Sequence, residues 1–470
     1  MSTLLITIRT EARRMLRGGW LLPLWFAFFV LCAGAAWNGV AWVEARQTAV
    51  ASILKDEADT HAMRRKQLVE EVTADNRQRY GGALYATALS LRATLAPGAL
   101  AVLTVGQAEG YPMAANISPF AASNTIFDQH TAGMENPSVL AAGRFDLAFV
   151  LVWLLPLLVL AGSFDLFATE RERGMGPWLL SQPVSPARLL VSKALARALL
   201  LILPLVAILV GVLWMTSTAG PGALLSVAGL VLLYGLFWLA LALLVNLFAT
   251  TAAQAALGCL SGWLALAVLL PALALGVADL AAPPSNPNER ANALRAEAMR
   301  ARAEMKLQPP AAVIAPGNAA PNIPDSLRRR AVEVSRAEVL IQEALQPYRA
   351  QDRARQAWLN ALRAASPAIA LQDGLERLAD ADAARARRFQ AEAHGFLLKV
   401  RSIANQYLAQ DRLLTVADYD RGLPRFVFRG LPARDQVFDL LFDAAVIAFG
   451  AALLLAFAHL RLRHPIHLTE

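Results

Sequence analysis

The sequence predicts an all-α polytopic membrane protein, with six transmembrane helices and two mainly helical domains outside the membrane. Three observations predict it. The 470 residues are 56% hydrophobic and only 17% charged, with a mean hydropathy of +0.43, against about 25% charged in an ordinary soluble chain. Six stretches reach the roughly 20 mostly apolar residues that a spanning helix needs. The short segments flanking those stretches carry arginines on one side of the membrane only. An ordinary soluble enzyme, a disordered chain and a collagen-like chain are excluded. The two cysteines, Cys32 and Cys259, lie in apolar stretches, and the six histidines are scattered. Neither a disulfide framework nor a metal-ligand cluster is expected.

The six spans are 20–43, 145–168, 194–215, 221–248, 252–277 and 437–460. The first is too long for a signal peptide and lacks a small-residue cleavage pattern. Orientation follows from the short flanks. Residues 1–19 carry Arg9, Arg13, Arg14 and Arg17; the loop 169–193 carries Arg171, Arg173, Arg188 and Lys193; the tail 461–470 carries Arg461 and Arg463; the turn 216–220 carries no charge. Both termini are therefore expected in the cytoplasm. That leaves 44–144 and 278–436 as extracytoplasmic domains. Segment 278–436 holds 24 Arg+Lys against 18 Asp+Glu. The signs are interleaved, which fits a solvated helical surface and gives no footprint for nucleic acid.

Both outer segments read as helical. Residues 44–79 lack Pro and Gly and carry a loose apolar stripe at Ile53, Leu54, Ala58, Met63, Leu68 and Val72, as for a stalk continuing the first span. Residues 97–137 are rich in turn residues, with a strand-like piece at 101–105. The second segment shows helical runs at 286–307, 325–346, 351–365 and 369–410, with a Pro-rich loop at 309–324.

The most informative stretch is the loop 169–193. It reads as a charged helix end (Glu170, Arg171, Glu172, Arg173), a break at Gly174, a short amphipathic helix around Trp178, Leu179 and Leu180, a turn at Pro183, and a new helix capped by Ser185 with Pro186 at its first position. Such a short helix can dock into a groove on another protein, or Trp178 can anchor an ordinary interfacial turn.

This segment resembles that of ABC-2-type transporter permeases, which carry a Glu-x-Glu-x-Gly-Thr-Leu-x-x-Leu-Leu-x-x-Pro-like run after the second span. Glu170, Glu172, Gly174, Leu179, Leu180 and Pro183 match it, and Arg188 and Lys193 match the downstream basic positions. Ser192 replaces a Gly, and Gly176 and Pro177 depart from the run. The resemblance implies that Glu170, Glu172, Gly174, Trp178, Leu179, Leu180, Pro183 and Arg188 belong to a coupling helix resting on an ATPase subunit. It also implies that residues 1–19 form an amphipathic connecting helix. The stretches at 135–137, 143–149, 154–157 and 366–389 are similar to a subgroup with large outer insertions, the DUF3526-type permeases.

No Gly-x-x-x-x-Gly-Lys-[Ser/Thr] phosphate loop is present. The chain itself is expected to need no cofactor and no metal, with ATP and Mg bound by a separate ATPase dimer. A second permease half, identical or related, is implied, besides the bilayer and a periplasmic partner. The preference for Arg over Lys fits a GC-rich bacterial genome, and the expected location is the inner membrane. Asp439 and Asp443 lie i, i+4 on the sixth span. They can line a translocation path, pair with outer arginines, or mark an interfacial helix start. Asp165 reads as a contact of the loop near Arg171. Two functions stay open: an exporter permease, or a membrane scaffold that passes ATPase motion to a periplasmic partner without transport. An intramembrane enzyme would need a cluster of catalytic groups, and only Asp439 and Asp443 cluster.

Overall fold

The computed structural model describes residues 3–70, 83–123, 125–127, 145–174, 186–307, 322–430 and 433–462. Helix α1 is Thr3–Arg17 and α2 is Leu21–Glu70, 50 residues without a break. A two-stranded antiparallel sheet follows, β1 (Leu91–Thr94) against β2 (Ala114–Ile117), with Leu91 opposite Ile117. Next come α3 (Leu147–Ala161) and α4 (Ala168–Glu172). Helix α5 runs from Pro186–Arg197 through Ala198–Ile202 to Leu203–Thr216. Helices α6 (Pro221–Phe248) and α7 (Ala252–Ala281) complete the middle of the bundle. Then α8 (Pro287–Leu307), α9 (Asp325–Leu362), α10 (Pro367–Leu378), α11 (Ala383–Ala409), α12 (Val416–Asp420) and α13 (Ala433–Leu462) follow in turn.

The chain is mostly helical, and among the described residues α2, α5, α6, α7 and α13 are long and apolar enough to cross a membrane. The second expected span differs. Helix α3 ends at Ala161, and turns at 162–167 lead into α4. Side chains from neighbouring helices supply what this irregular backbone lacks. Asn246 Oδ1 accepts the N–H groups of Phe167 and Ala168, each at 3.1 Å. Lys193 donates to the Leu166 carbonyl at 3.0 Å, and Arg197 donates to that of Gly162. Non-helical backbone at such depth survives only where protein groups replace water.

Three helices carry a π turn just ahead of a proline: Val150–Leu154 before Pro156, Ala198–Ile202 before Pro204, and Leu264–Leu269 before Pro271. Proline offers no N–H and its ring crowds the preceding turn, so carbonyls four and five residues back lose their donor. Two are recovered by hydroxyls from other elements. Tyr234 of α6 donates to Val152 O at 3.0 Å, and Ser366 donates to Leu266 O at 3.0 Å.

Ser366 belongs to the segment expected to stay outside, and its bond lies near the middle of α7. Pro367 and Phe237 both lie against Gly450, past the midpoints of α6 and α13 from their far ends, and a Cβ on Gly374 would lie 2.6 Å from Leu230 of α6. Helix α10 is therefore re-entrant. Its N-terminus is capped deep in the bundle by Ser366, whose Oγ accepts from the Ala368 N–H at 3.2 Å, with Pro367 in the first turn.

The two large segments share their cores. Leu91, Ala93, Ala115 and Ile117 of the sheet pack against Phe389, Phe396 and Leu397 of α11, and Ala86 and Leu89 pack against Ala404 and Leu414. They form one distal body, to which the far half of α2 is tied by Arg65–Asp420 at 2.8 Å and by Glu57 accepting from the Arg92 N–H at 2.9 Å. The expected strand at 101–105 is instead a buried set of turns. Leu103 O accepts from Ala148 N–H, and a Cβ on Gly39 would collide with Val102 O. The two expected helices at 325–346 and 351–365 are one, with Pro347 inside it. The expected run 369–410 is broken at Asp380, which has φ +58°.

Glu338 of α9 ties the distal body together. It takes hydrogen bonds from Gln342 (2.7 Å) and His394 (3.1 Å) and faces Arg401 at 3.4 Å. Arg401 in turn donates to the carbonyls of Pro119 and Ala121.

Tyr234→Phe leaves the Val152 carbonyl bare in an apolar interior and is expected to cost about 1–3 kcal/mol, read as a lower thermal midpoint in detergent. Burial alone would push the Glu338 carboxyl up, but the bonds from His394, Ser123 and Gln342 with the charge of Arg401 hold it at about 2. A depressed carboxyl stabilises the fold above its ordinary value of 4.5 and loses that contribution as pH falls toward 2. Glu338→Gln should therefore flatten the stability profile between those limits; a slope equal to that of the parent would remove the assignment.

Candidate functional site: the proximal charge network and the distal arginine cluster

Two groups of ionic side chains mark opposite ends of the bundle. At the proximal end α1 lies against the start of α5. Glu170, the first acidic residue expected in the loop, is buried on α4. Its Oε1 lies 2.5 Å from Lys193 Nζ and accepts from Arg14 Nη1 at 3.3 Å, while its Oε2 is buried with no partner among the described residues. Beside it, buried Arg197 bridges Glu11 of α1 at 3.2 Å and Asp165 at 2.9 Å. Three elements distant in sequence are thus joined by charge in a low-dielectric setting, where an unmatched member is costly.

The next residues cap neighbouring helices. Arg171 donates to the Ala249 carbonyl at the end of α6 at 2.8 Å, and its guanidinium lies 5.5 Å from the centre of the Phe167 ring. Glu172 accepts from the Ala252 N–H at the start of α7 at 3.0 Å. A cation at a helix C-terminus and an anion at an N-terminus complement the two helix dipoles. Gly174 has φ +71°, the left-handed conformation of the expected break. Arg188 is exposed on the first turn of α5. Trp178, Leu179, Leu180 and Pro183 lie outside the described residues.

The model of the ABC-2 family transporter proteins matches residues 5–457. The chain belongs to this family. It is accordingly a multi-pass transmembrane permease of ABC-2 type, a kind of subunit that is typically non-catalytic and works with an ABC ATPase. No curated protein matches its sequence.

At the distal end of this permease, Asp443 is fully buried. It meets Arg377 of the re-entrant helix and lies 3.8 Å from Arg363. Asp439 accepts from Arg363 at 3.0 Å and lines a pocket of about 620 Å³ with Arg434 and Phe438. Arg363 also stacks on Phe442, 4.5 Å from the ring centre. The two aspartates expected to share a face do so, and both are paired with arginines of the segment that dips between the helices.

Sequence reasoning missed Arg197 and Glu11 as partners, and of the outer arginines expected to pair with Asp439 and Asp443 it did not single out Arg363 and Arg377. Arg197 carried a usable signal, being a lone charge inside an expected span. Asp165 meets Arg197 rather than the nearby Arg171. Asn246 is buried, and besides accepting from Phe167 and Ala168 its amide donates to the carbonyls of Ser163 and, one turn back on α6, Ala242.

Lys193→Met strips the closest cation from buried Glu170. The expected loss is about 3–5 kcal/mol, and Glu170→Gln on that background should recover part of it. A double-mutant cycle on thermal unfolding reads the coupling; additive losses would mean that the pair is not one unit.

Proposed function

We propose that this chain is the membrane half of an ATP-driven exporter and takes up the motion of a separate ATPase dimer through the segment 170–188. The observation that carries this reading is the anchoring of α4. Glu170 binds α1 and α5, Arg171 holds the end of α6, and Glu172 holds the start of α7. A push on the loop after Gly174 therefore reaches four helices at once. ATP and Mg are bound by the partner, and a second permease half, identical or related, completes the path. The charged proximal flanks support a cytoplasmic location for both termini, with the bundle in a bacterial inner membrane and the distal body in the periplasm. The likeness to DUF3526-type permeases belongs to this reading. Of the two aspartates, Asp439 opens onto a pocket and is the better placed to meet cargo, whereas Asp443 is closed off.

A second reading is favoured by one observation: α2 passes without a break from the bundle into the distal body. The permease then acts as a mechanical transmitter to a periplasmic partner, with no cargo crossing. Reconstitution of the complex separates the two, by substrate movement on one side or altered activity of the partner on the other.

Glu172→Lys, or deletion of residues 174–182, should leave membrane insertion intact and remove the change in ATPase rate that the permease imposes on its partner. ATP hydrolysis measured in proteoliposomes decides it: a variant that still alters the rate as the parent does would sink the coupling assignment.

A further inference from the structure

A cavity of about 2070 Å³ lies where the distal body meets the bundle, at least twice the roughly 300–1,000 Å³ of ordinary small-molecule pockets. Its two ends differ in chemistry. The end inside the bundle is lined by Phe149 and Trp153 of α3, Ala267, Pro271 and Leu275 of α7, and Ile369 of the re-entrant α10. Two of the three π turns, those ahead of Pro156 and Pro271, form this apolar end. Leu275 lines the cavity and is half exposed on the outer face of α7, beside exposed Leu273 and Leu280, so the apolar end adjoins a lipid-facing surface.

The opposite end is polar and carries unmatched positive charge. Arg349 and Arg353 on α9 and Arg387 on α11 line it, and none has a carboxylate within ion-pair distance among the described residues. The other two arginines of the wall are matched, Arg290 by Asp352 at 3.7 Å and Arg355 by Asp279 at 2.7 Å. The acidic side chains of the wall are engaged. Asp146 caps α3 through the Phe149 N–H at 2.8 Å, Asp373 faces Arg377, Glu376 accepts from Gln372 at 2.8 Å, and Glu109 has its own partner.

We propose that this cavity binds an amphiphile, with its acyl tail between α3, α7 and α10 and an anionic headgroup at Arg349, Arg353 and Arg387. Guanidinium groups favour phosphate and carboxylate through paired hydrogen bonds, and three in one wall select an anion over a zwitterion. Entry is sideways, past Leu275. The site lies within one chain, and binding is independent of whether the amphiphile is cargo.

The test uses the full chain in phosphatidylcholine nanodiscs, without ATPase or ATP, so its outcome is separable from that of the exporter reading. A small fraction of phosphatidylglycerol with a photoactivatable acyl chain serves as probe, and a phosphatidylcholine probe with the same label serves as control. Labelling by the anionic probe is expected at Phe149, Trp153, Ala267 and Pro271. Arg349→Glu, Arg353→Glu and Arg387→Glu together should lower it by about tenfold or more while leaving control labelling and the thermal midpoint unchanged. These side chains are exposed, so the variant is expected to fold. Three results would overturn the proposal. The first is labelling confined to lipid-facing positions such as Leu273 and Leu280. The second is equal labelling by both probes in the parent. The third is displacement of the anionic probe by inorganic phosphate as complete as by short-chain phosphatidylglycerol, since a site for the anion alone has no use for the apolar end.

Discussion

A carbonyl that loses its helical partner inside a bilayer has no water to turn to, and this constraint shapes much of the bundle. Pro156 and Pro271 each free a carbonyl within a span. Tyr234 restores one from α6, and Ser366 restores the other from a segment 100 residues further along the chain. The second bond matters more for architecture, because it is made by the residue that also caps α10. One hydroxyl thus repairs α7 and starts the re-entrant helix. The turns at 162–167 obey the same rule at the other end, with Asn246, Lys193 and Arg197 in the place of solvent.

Charge follows the backbone inward. Lys193 and Arg197 serve carbonyls and carboxylates together, so the network that steadies the irregular end of α3 is also the one that holds α1 and α4. At the distal end Arg363 and Arg377 enter the bundle on the segment that ends α9 and forms α10, and Asp439 and Asp443 meet them. In each case a buried charge has a partner from a different part of the sequence. Such pairs add little net stability beside an apolar alternative, but they oppose any arrangement that separates the partners.

What could be read in the sequence was what is local. Long apolar runs marked the five helices long enough to span, Gly174 marked the break after the charged helix end, and the helix formers of 44–79 marked the continuation of α2 through Glu70. The re-entrant α10 was hidden by length: its apolar run is far shorter than the roughly 20 residues that signal a span. The strands Leu91–Thr94 and Ala114–Ile117 were hidden for another reason. Their inward faces are completed by Phe389 and Phe396, nearly 300 residues away, so no window of sequence shows the surface they pack on. The strand-like 101–105 run was apolar because it fills the mouth of the bundle against Gly39 and Ala148, where burial and not pleating chose its residues. The ion pairs were the least legible. Glu11, Glu170 and Asp443 find their cations only when the helices have packed.

The unbroken α2 has a consequence for leverage. At 1.5 Å per residue its 50 residues measure about 75 Å, and about 40 Å lies beyond Val43. A tilt of one degree about that point carries Glu70 sideways by about 0.7 Å. The near half of the helix is packed against α5, and the far half is fastened to the sheet and to Asp420. A stiff rod held at both ends carries a tilt among the spans into a displacement of the distal body of about the same size, since about 33 Å of helix lies before Val43 and about 40 Å beyond it. The geometry works as a lever with nearly equal arms, and in the reverse direction a load on the distal body arrives at the bundle as torque.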